Sequence, residues 1–338
     1  MLTFDLPQEL IAQEPAQPRD HARLLVYNRA TRQIVDDYFY NLPQYLPANT
    51  TLVLNNSKVE QCRWLFDAGK TELFVLEKLD THTIRAMVRP GKRFRLDDQV
   101  TLADDITATV LAIDQDGIRT LKLSVPHDSP QLRRFEHIPL PPYIAQNDTL
   151  ADEYQTVYAK PLGSKAAPTA GLHFTSELLA AIARSHPVVE LTLHVGLGTF
   201  AKLTPEQLAV GKLHRESYSI SPDTAVALAA ASHITAVGTT SVRTLESALR
   251  EHASFRHVDH QETDILIQPG YTFRAVGAMI TNFHLPATSL LLLVAAFIKH
   301  GQPTATNEEA ELELLRVYQH AIAERYRFYS FGDAMLIL

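Results

Sequence analysis

The chain has 338 residues, 46% hydrophobic and 20% charged, enough apolar material for a full core and more in keeping with two domains than one. Its net charge of −7 and pI near 6.1 exclude a protein that coats nucleic acid over its whole surface, though not one with a local basic patch. The single cysteine, Cys62, excludes an intramolecular disulfide and fits a reducing cytosol.

The opening residues, MLTFDLPQELIAQEP, lack a basic stretch followed by an apolar one, so a cytoplasmic protein is expected. Short strand-like runs follow at 24–27 and 52–54. From 61 to 137 the pattern changes to brief, β-branched, alternating runs (LFVLEKL, THTIRAMV, ITATVLAI, IRTLKLSV) parted by Asp/Gly turns. That pattern predicts an inserted all-β domain, a barrel or sandwich. Within it lie Arg85, Arg89, Lys92, Arg93 and Arg95 with no acid between 85 and 95. The run is either a solvated turn or a contact surface for phosphates.

From 150 onward strands and helices alternate, which predicts an α/β domain on a mixed or mostly parallel sheet, formed by 1–60 plus 138–338. The stretch 154–174, YQTVYAKPLGSKAAPTAGLHF, has neither helical nor strand periodicity and leads into a helix start at 175–177. A loop of this length inside a compact chain is expected to face a ligand. Its Lys160 and Lys165 are further candidates for phosphate contacts. A strand is predicted at 188–195, and Thr204-Pro205-Glu206-Gln207 has capping-box spacing with proline at the first helical position. Ser221-Pro222-Asp223 opens a helix to about 232, followed by a strand at 234–237, a turn at 238–241 and a helix at 242–251. A strand is predicted at 273–280, then an apolar helix ending near Lys299 and a terminal helix at 308–324. The most apolar run, 290–298, is about half of a membrane span, so it is expected to be a buried helix and no membrane partner is expected.

Ligands of open α/β sheets sit at the carboxyl ends of strands, and three such loops here are unusual. In the first, Gly196 and Gly198 beside Thr199 permit free amides to hold an anion, or simply make a tight turn. In the second, Thr239, Thr240 and Ser241 precede Arg243, an arrangement suited either to a carboxylate or phosphate or to ordinary helix capping. In the third, Asn282 and His284 end an apolar strand. His173, His194, His214 and His284 fall at or near these loops, and Glu216 stands beside His214, giving a pool for proton transfer. No clustered Cys/His spacing suggests zinc, and GxSxG, Walker and GxGxxG motifs are missing, so no metal is expected.

Several blocks in order resemble the S-adenosylmethionine:tRNA ribosyltransferase-isomerase family of queuosine biosynthesis: YQTVYAKP with AAPTAGLHFT, LTLHVGLGTF, VGTTSVRTLES, TDILIQPGY, TNFHLPATSLLLLVAAF and ERYRFYSFGDAML. LPQELIAQEP and MVRPGKR resemble it too, so the likeness spans nearly the whole chain. Leu54-Asn55-Asn56-Ser57 departs from the family's usual Phe-Asn-Asp-Thr, losing a carboxylate. The resemblance implies an enzyme that passes the ribosyl carbons of S-adenosylmethionine to the aminomethyl group of a deazaguanine base at the tRNA wobble position. It implies isomerisation to an epoxycyclopentanediol and release of adenine and methionine. S-adenosylmethionine would be a consumed co-substrate, with no other cofactor, and tRNA the partner, with no obligate protein partner evident. Gly196, Gly198, Thr199, Thr239, Thr240, Ser241, Arg243 and Asn282 are then the candidates to hold S-adenosylmethionine. Arg89, Lys92, Arg93, Arg95, Lys160 and Lys165 are the candidates for tRNA, and His173 is the first candidate for the base, with Glu216 second. A small-molecule transferase that never touches RNA and a non-catalytic RNA-binding module are the rival readings.

Overall fold

The structure, a computed structural model, describes residues 2–145, 147–196, 203–302 and 305–338. The chain divides into two compact units, one of residues 1–58, 141–146 and 152–338 and the other of residues 59–140 and 147–151.

The larger unit is built on nine strands: β1 (Arg23–Tyr27), β2 (Ile34–Tyr38), β3 (Thr50–Asn55), β4 (Val188–Leu193), β5 (Lys212–Ile220), β6 (His233–Val237), β7 (Val258–Ile265), β8 (Ala278–Asn282) and β9 (Ala334–Ile337). They lie in the order β7-β5-β4-β3-β6-β8-β9-β1-β2. Pairs β4·β3, β3·β6, β6·β8 and β9·β1 are parallel, and β7·β5, β5·β4, β8·β9 and β1·β2 are antiparallel. The sheet is therefore mixed, with its parallel core in the middle. Burial follows the two-residue strand period. Leu24 and Val26 of β1, with Ala334 and Leu336 of β9, enter one core, with Phe39, Phe174 and Ile182. Leu25 and Tyr27, with Met335 and Ile337, enter the other, with Val242, Leu245, Phe297 and Val317. Each buried Leu, Val or Phe contributes roughly 1.5–3 kcal/mol.

Among the described residues six α-helices accompany this sheet: α1 (Ser176–Ile182), α2 (Pro205–Val210), α3 (Pro222–Ala230), α4 (Gly238–Glu251), α5 (Ser289–Lys299) and α6 (Asn307–Ala323). Their starts follow from local chemistry. Thr175, Thr204, Ser221, Thr288 and Thr306 each accept an amide of the first turn, and Thr204/Gln207 and Thr306/Glu309 close full capping boxes.

Two expectations need correction. Residues 238–241 are the first turn of α4, not a separate turn; Gly238, at φ +84°, makes the abrupt entry from β6. Residues 273–277 are not strand, because the amides of Arg274, Ala275 and Val276 turn inward to the buried Glu246 carboxylate at 3.0–3.3 Å. The strand begins only at Ala278.

The smaller unit is one antiparallel sheet of seven strands. In spatial order these are Glu136–His137, Arg63–Phe66, Thr71–Lys78, Thr83–Arg89, Arg119–Leu123, Ile106–Ile113 and Gln99–Ala103. Trp64, Phe66, Leu73, Val75, Ile84, Val110 and Leu121 build its core. Among the described residues no helix is long and apolar enough to cross a membrane.

Candidate active site

The carboxyl ends of β6 and β8 open into a cavity of about 480 Å³ in the larger unit. The first turn of α4 (Gly238, Thr239, Thr240) and the segment after β8 (Phe283 to Thr288) form two walls, and residues 166–170 with Tyr154 form a third. Apolar side chains predominate, including Val195, Leu203, Phe283, Leu285 and Leu290. Polar atoms enter at few points, the usual composition of a small-molecule site.

Three of those atoms are buried without a hydrogen bond: Thr240 Oγ1, His284 Nδ1 and Tyr154 Oη. Tyr154 has Ser330 and the Ala167 backbone as polar neighbours, yet its hydroxyl completes no hydrogen bond of full geometry. An unsatisfied buried polar group costs about 1–3 kcal/mol, so three around one cavity mark a place where a ligand would supply the missing partners. The amides opening α4 add the positive end of a helix dipole.

Asn282 organises the floor. Its Oδ1 accepts from Thr169 Oγ1 at 3.0 Å, and its Nδ2 lies 3.2 Å from the Tyr329 carbonyl and 3.2 Å from His173 Nε2. His173 stands behind Asn282, packed against Phe39, and does not line the cavity. Burial, with the nearby positive charges of Arg327 and Arg19, pushes its pKa down to about 3. It is therefore neutral and suited to accepting from Asn282; its place behind the cavity wall, not on it, runs against the expectation that it is the proton-abstracting base. His284 does line the cavity, and burial lowers its pKa to about 4.

Loop 154–174 is packed tightly. A Cβ on Gly171 would overlap the Tyr158 hydroxyl and lie 2.9 Å from Thr156 Cγ2, so any larger residue here would force those side chains to shift. Residues 166–170 face the cavity from this loop.

Other expected site residues are placed elsewhere. Arg243 and Glu216 form a buried ion pair between α4 and β5; Glu216 Oε1 also accepts the Gly196 amide at 2.9 Å, and Arg243 Nε donates to the Ile265 carbonyl at 3.4 Å. Arg243 thus pairs with a protein carboxylate through Nη1 and does not line the cavity, while its buried Nη2 has no partner among the described residues. Ser241 Oγ donates to the Val237 carbonyl at 2.7 Å, a bond within the helix start. His194 packs its ring on Gly163, with its pKa lowered first by burial and then by the charges of His260 and Lys165; it does not line the cavity. His214 is exposed on β5. Gly198 and Thr199 lie outside the described residues.

The basic candidates divide in the same way. Arg93 donates to Asp67, Thr71 and the Thr101 carbonyl, Arg89 pairs with Glu72 at 2.8 Å, and Lys160 grips both Glu190 oxygens at 2.8–2.9 Å. Those acids were invisible in the linear run because they come from elsewhere in the chain: Asp67 from the turn before strand Thr71–Lys78, Glu72 from that strand and Glu190 from β4. Lys92 and Arg95 are exposed and have no ion pair among the described residues. Lys165 is buried, which draws its pKa down to about 8 and sets it against a surface phosphate contact. Among the described residues no group of three or more His, Cys, Asp or Glu side chains is placed to hold a metal.

Sequence reasoning missed Tyr154, Thr169 and Tyr329 as site residues. Tyr154 and Thr169 lay inside the loop already singled out, but nothing local distinguished them from packing residues.

An α/β unit with a ligand-sized cavity at its parallel strand ends belongs, by class, with enzymes of small-molecule chemistry. The family profile described as "Queuosine biosynthesis protein" matches residues 1–337. S-adenosylmethionine:tRNA ribosyltransferase-isomerases of Symbiobacterium thermophilum and Thermotoga maritima are 42% and 41% identical to the chain, each match covering 99% of this chain and 98% of the relative. A crystal structure of S-adenosylmethionine tRNA ribosyltransferase from Thermotoga maritima aligns at TM-score 0.54 and 34% identity over 100% of this chain and 99% of that one. The chain belongs to the queuosine biosynthesis protein family.

Proposed function

We propose that the chain transfers the ribosyl moiety of S-adenosylmethionine to the 7-aminomethyl-7-deazaguanine base at the tRNA wobble position and isomerises it, giving epoxyqueuosine-tRNA, adenine and methionine. S-adenosylmethionine-dependent ribosyl transfer and isomerisation in tRNA queuosine synthesis is the activity of its family, and S-adenosylmethionine is the consumed co-substrate. The observation that carries the site assignment is the cavity with its three unpartnered polar atoms.

In this reading the unit bearing the mixed sheet is the catalytic domain. Thr239, Thr240 and the opening amides of α4 take the methionine carboxylate, and the apolar walls exclude water from the sulfonium. The sulfonium acidifies the adjacent ribose methylene. A base removes that proton, and adenine leaves from the anomeric carbon. The aminomethyl nitrogen forms the new bond to the sugar carbons and gives up a proton, and the carbon–sulfur bond breaks as the epoxide closes, releasing methionine. His284 is the proton acceptor, being neutral, lined up on the cavity and holding Nδ1 free; Asn282, held by His173 and Thr169, orients the substrate. Lys92 and Arg95 contribute phosphate contacts. Protein location in the cytoplasm and action without a further cofactor belong to the same proposal.

The test is incubation of the chain with S-adenosylmethionine and tRNA carrying the deazaguanine precursor, following free adenine. Adenine release that requires this tRNA is expected. Release without tRNA, or with tRNA lacking the aminomethyl base, would contradict it.

A further inference from the structure

At the far edge of the mixed sheet, Tyr38 and Tyr40 stand side by side on the surface. Their rings are parallel within 4°, with centroids 5.5 Å apart, and the residues are 46% and 41% exposed. The His21 ring lies 5.2 Å from Tyr40 and extends the group. Two adjacent exposed tyrosines cost hydration and gain little from the fold, so their exposure calls for a reason.

The pair is held rigidly. Between the two tyrosines, Phe39 is fully buried against Phe174 and His173, and its amide donates to the Ala22 carbonyl at 2.9 Å. Nearby acids are already engaged. Asp37 accepts from Tyr45 and Asn41, while Asp36 accepts from His320 and Tyr326.

Sheet register connects the pair to the cavity. Asn282, on the cavity floor, lies opposite Ala334; Ala334 lies opposite Leu24; and Leu24 lies opposite Asp37, the residue before Tyr38. The tyrosines therefore stand on the same end of the sheet as the cavity, three strand spacings away, or about 14–15 Å. A nucleotide whose base enters the cavity would leave its loop neighbours within reach of that position.

We propose that Tyr38 and Tyr40 form a stacking platform for an unpaired base of the tRNA loop flanking the modified nucleotide. The inference rests on the functional reading above. Aromatic faces bind splayed single-stranded bases by stacking, which tolerates sequence and neutralises no phosphate.

The test uses the full chain as the Tyr38→Ala/Tyr40→Ala variant, with adenine release measured against tRNA and against S-adenosylmethionine at several salt concentrations. The platform predicts a KM for tRNA raised roughly 5- to 100-fold. It predicts an unchanged KM for S-adenosylmethionine, which also reports intact folding, and an unchanged salt slope. Tyr38→Phe/Tyr40→Phe should restore the parent KM, since stacking needs the ring and not the hydroxyl. An unchanged KM for tRNA in the alanine variant, beside an active parent, overturns the platform and leaves the function standing. Failure of the phenylalanine variant to restore KM also overturns it, assigning the effect to the hydroxyls. A parent chain that releases no adenine overturns function and platform together.

Discussion

Two polar arrangements hang from the same helix, α4, and they differ in whether the group faces a cavity or is engaged in an ion pair away from it. At its first turn, Thr240 leaves a buried hydroxyl unpartnered at a cavity. One turn further on, Arg243 closes on Glu216 of β5, and Glu216 also takes the Gly196 amide. Both looked like ligand groups on chemical type alone. The first leaves a hydroxyl free at the cavity wall; the second uses its charge to join α4, β5 and the start of the loop after β4, with Arg243 Nη2 unpartnered but off the cavity. Residue type nominates a site, and unfilled bonding capacity that faces a cavity selects it.

The contrast can be broken most forcefully at the ion pair. Arg243→Ala leaves a buried carboxylate without its cation, so it should lower stability by about 3–5 kcal/mol. Denaturant unfolding checks this. A variant that kept its stability but lost S-adenosylmethionine binding would move Arg243 from the framework to the ligand.

The cavity-side loop offers the next test. In Gly171→Ala the added methyl meets the Tyr158 hydroxyl and Thr156, and a loss of about 1–3 kcal/mol is expected, the range for overpacking a filled interior. A thermal melt indistinguishable from the parent would show that the loop has slack.

A third concerns pH. His173 and His284 have folded pKa values of about 3 and about 4 against 6.5 ordinarily. As pH falls below 6.5, the unfolded chain takes up these protons first. Stability is thus present above 6.5 and lost progressively down to about 4 and 3, by up to about 1.4 kcal/mol per pH unit for each histidine. Unfolding free energies measured from pH 7 to 5 should show this slope, and His173→Gln should reduce it. An equal slope in that variant would mean that His173 takes up its proton in the folded chain.

The smallest effect is expected in the basic turn, where the same distinction applies to cations. Lys92→Ala/Arg95→Ala should flatten the log–log salt dependence of tRNA binding by roughly 1–2. Arg93→Ala should change it less, because Arg93 is held by Asp67 and Thr101. Equal effects would erase the difference between paired and unpaired cations.

Much of the framework was legible because its signals are local. Thr204 with Gln207, and Ser221 before Pro222, announce helix starts by chemistry confined to four residues. The strand β5 escaped notice because KLHRESYSI is polar at its outset and buries Glu216, Tyr218 and Ile220 only in its second half. The register of Glu246 against residues 274–276 spans some thirty positions, so the apparent strand there could not be told from a loop docked on a carboxylate. Of the site, Thr239, Thr240, Asn282 and His284 were identifiable as strand-end residues and line the cavity. The commitment of Arg243, Lys160 and Arg93 to acids was not, because each pairing is made by the fold. Asn56 is a related case. It donates to Glu190 at 2.9 Å and accepts from Thr192 at 2.7 Å, so the amide in place of the family's carboxylate suits a neighbour that is itself a carboxylate.

The central claim is that S-adenosylmethionine occupies the cavity at the ends of β6 and β8. Calorimetry of S-adenosylmethionine with the Thr240→Val variant tests it most directly, because valine keeps the shape and removes only the unpartnered hydroxyl. The account predicts an affinity lowered about five- to tenfold, the scale of one hydrogen bond, with thermal stability equal to or above the parent's. Unchanged affinity, with the hydroxyl gone and the fold intact, would place the donor elsewhere.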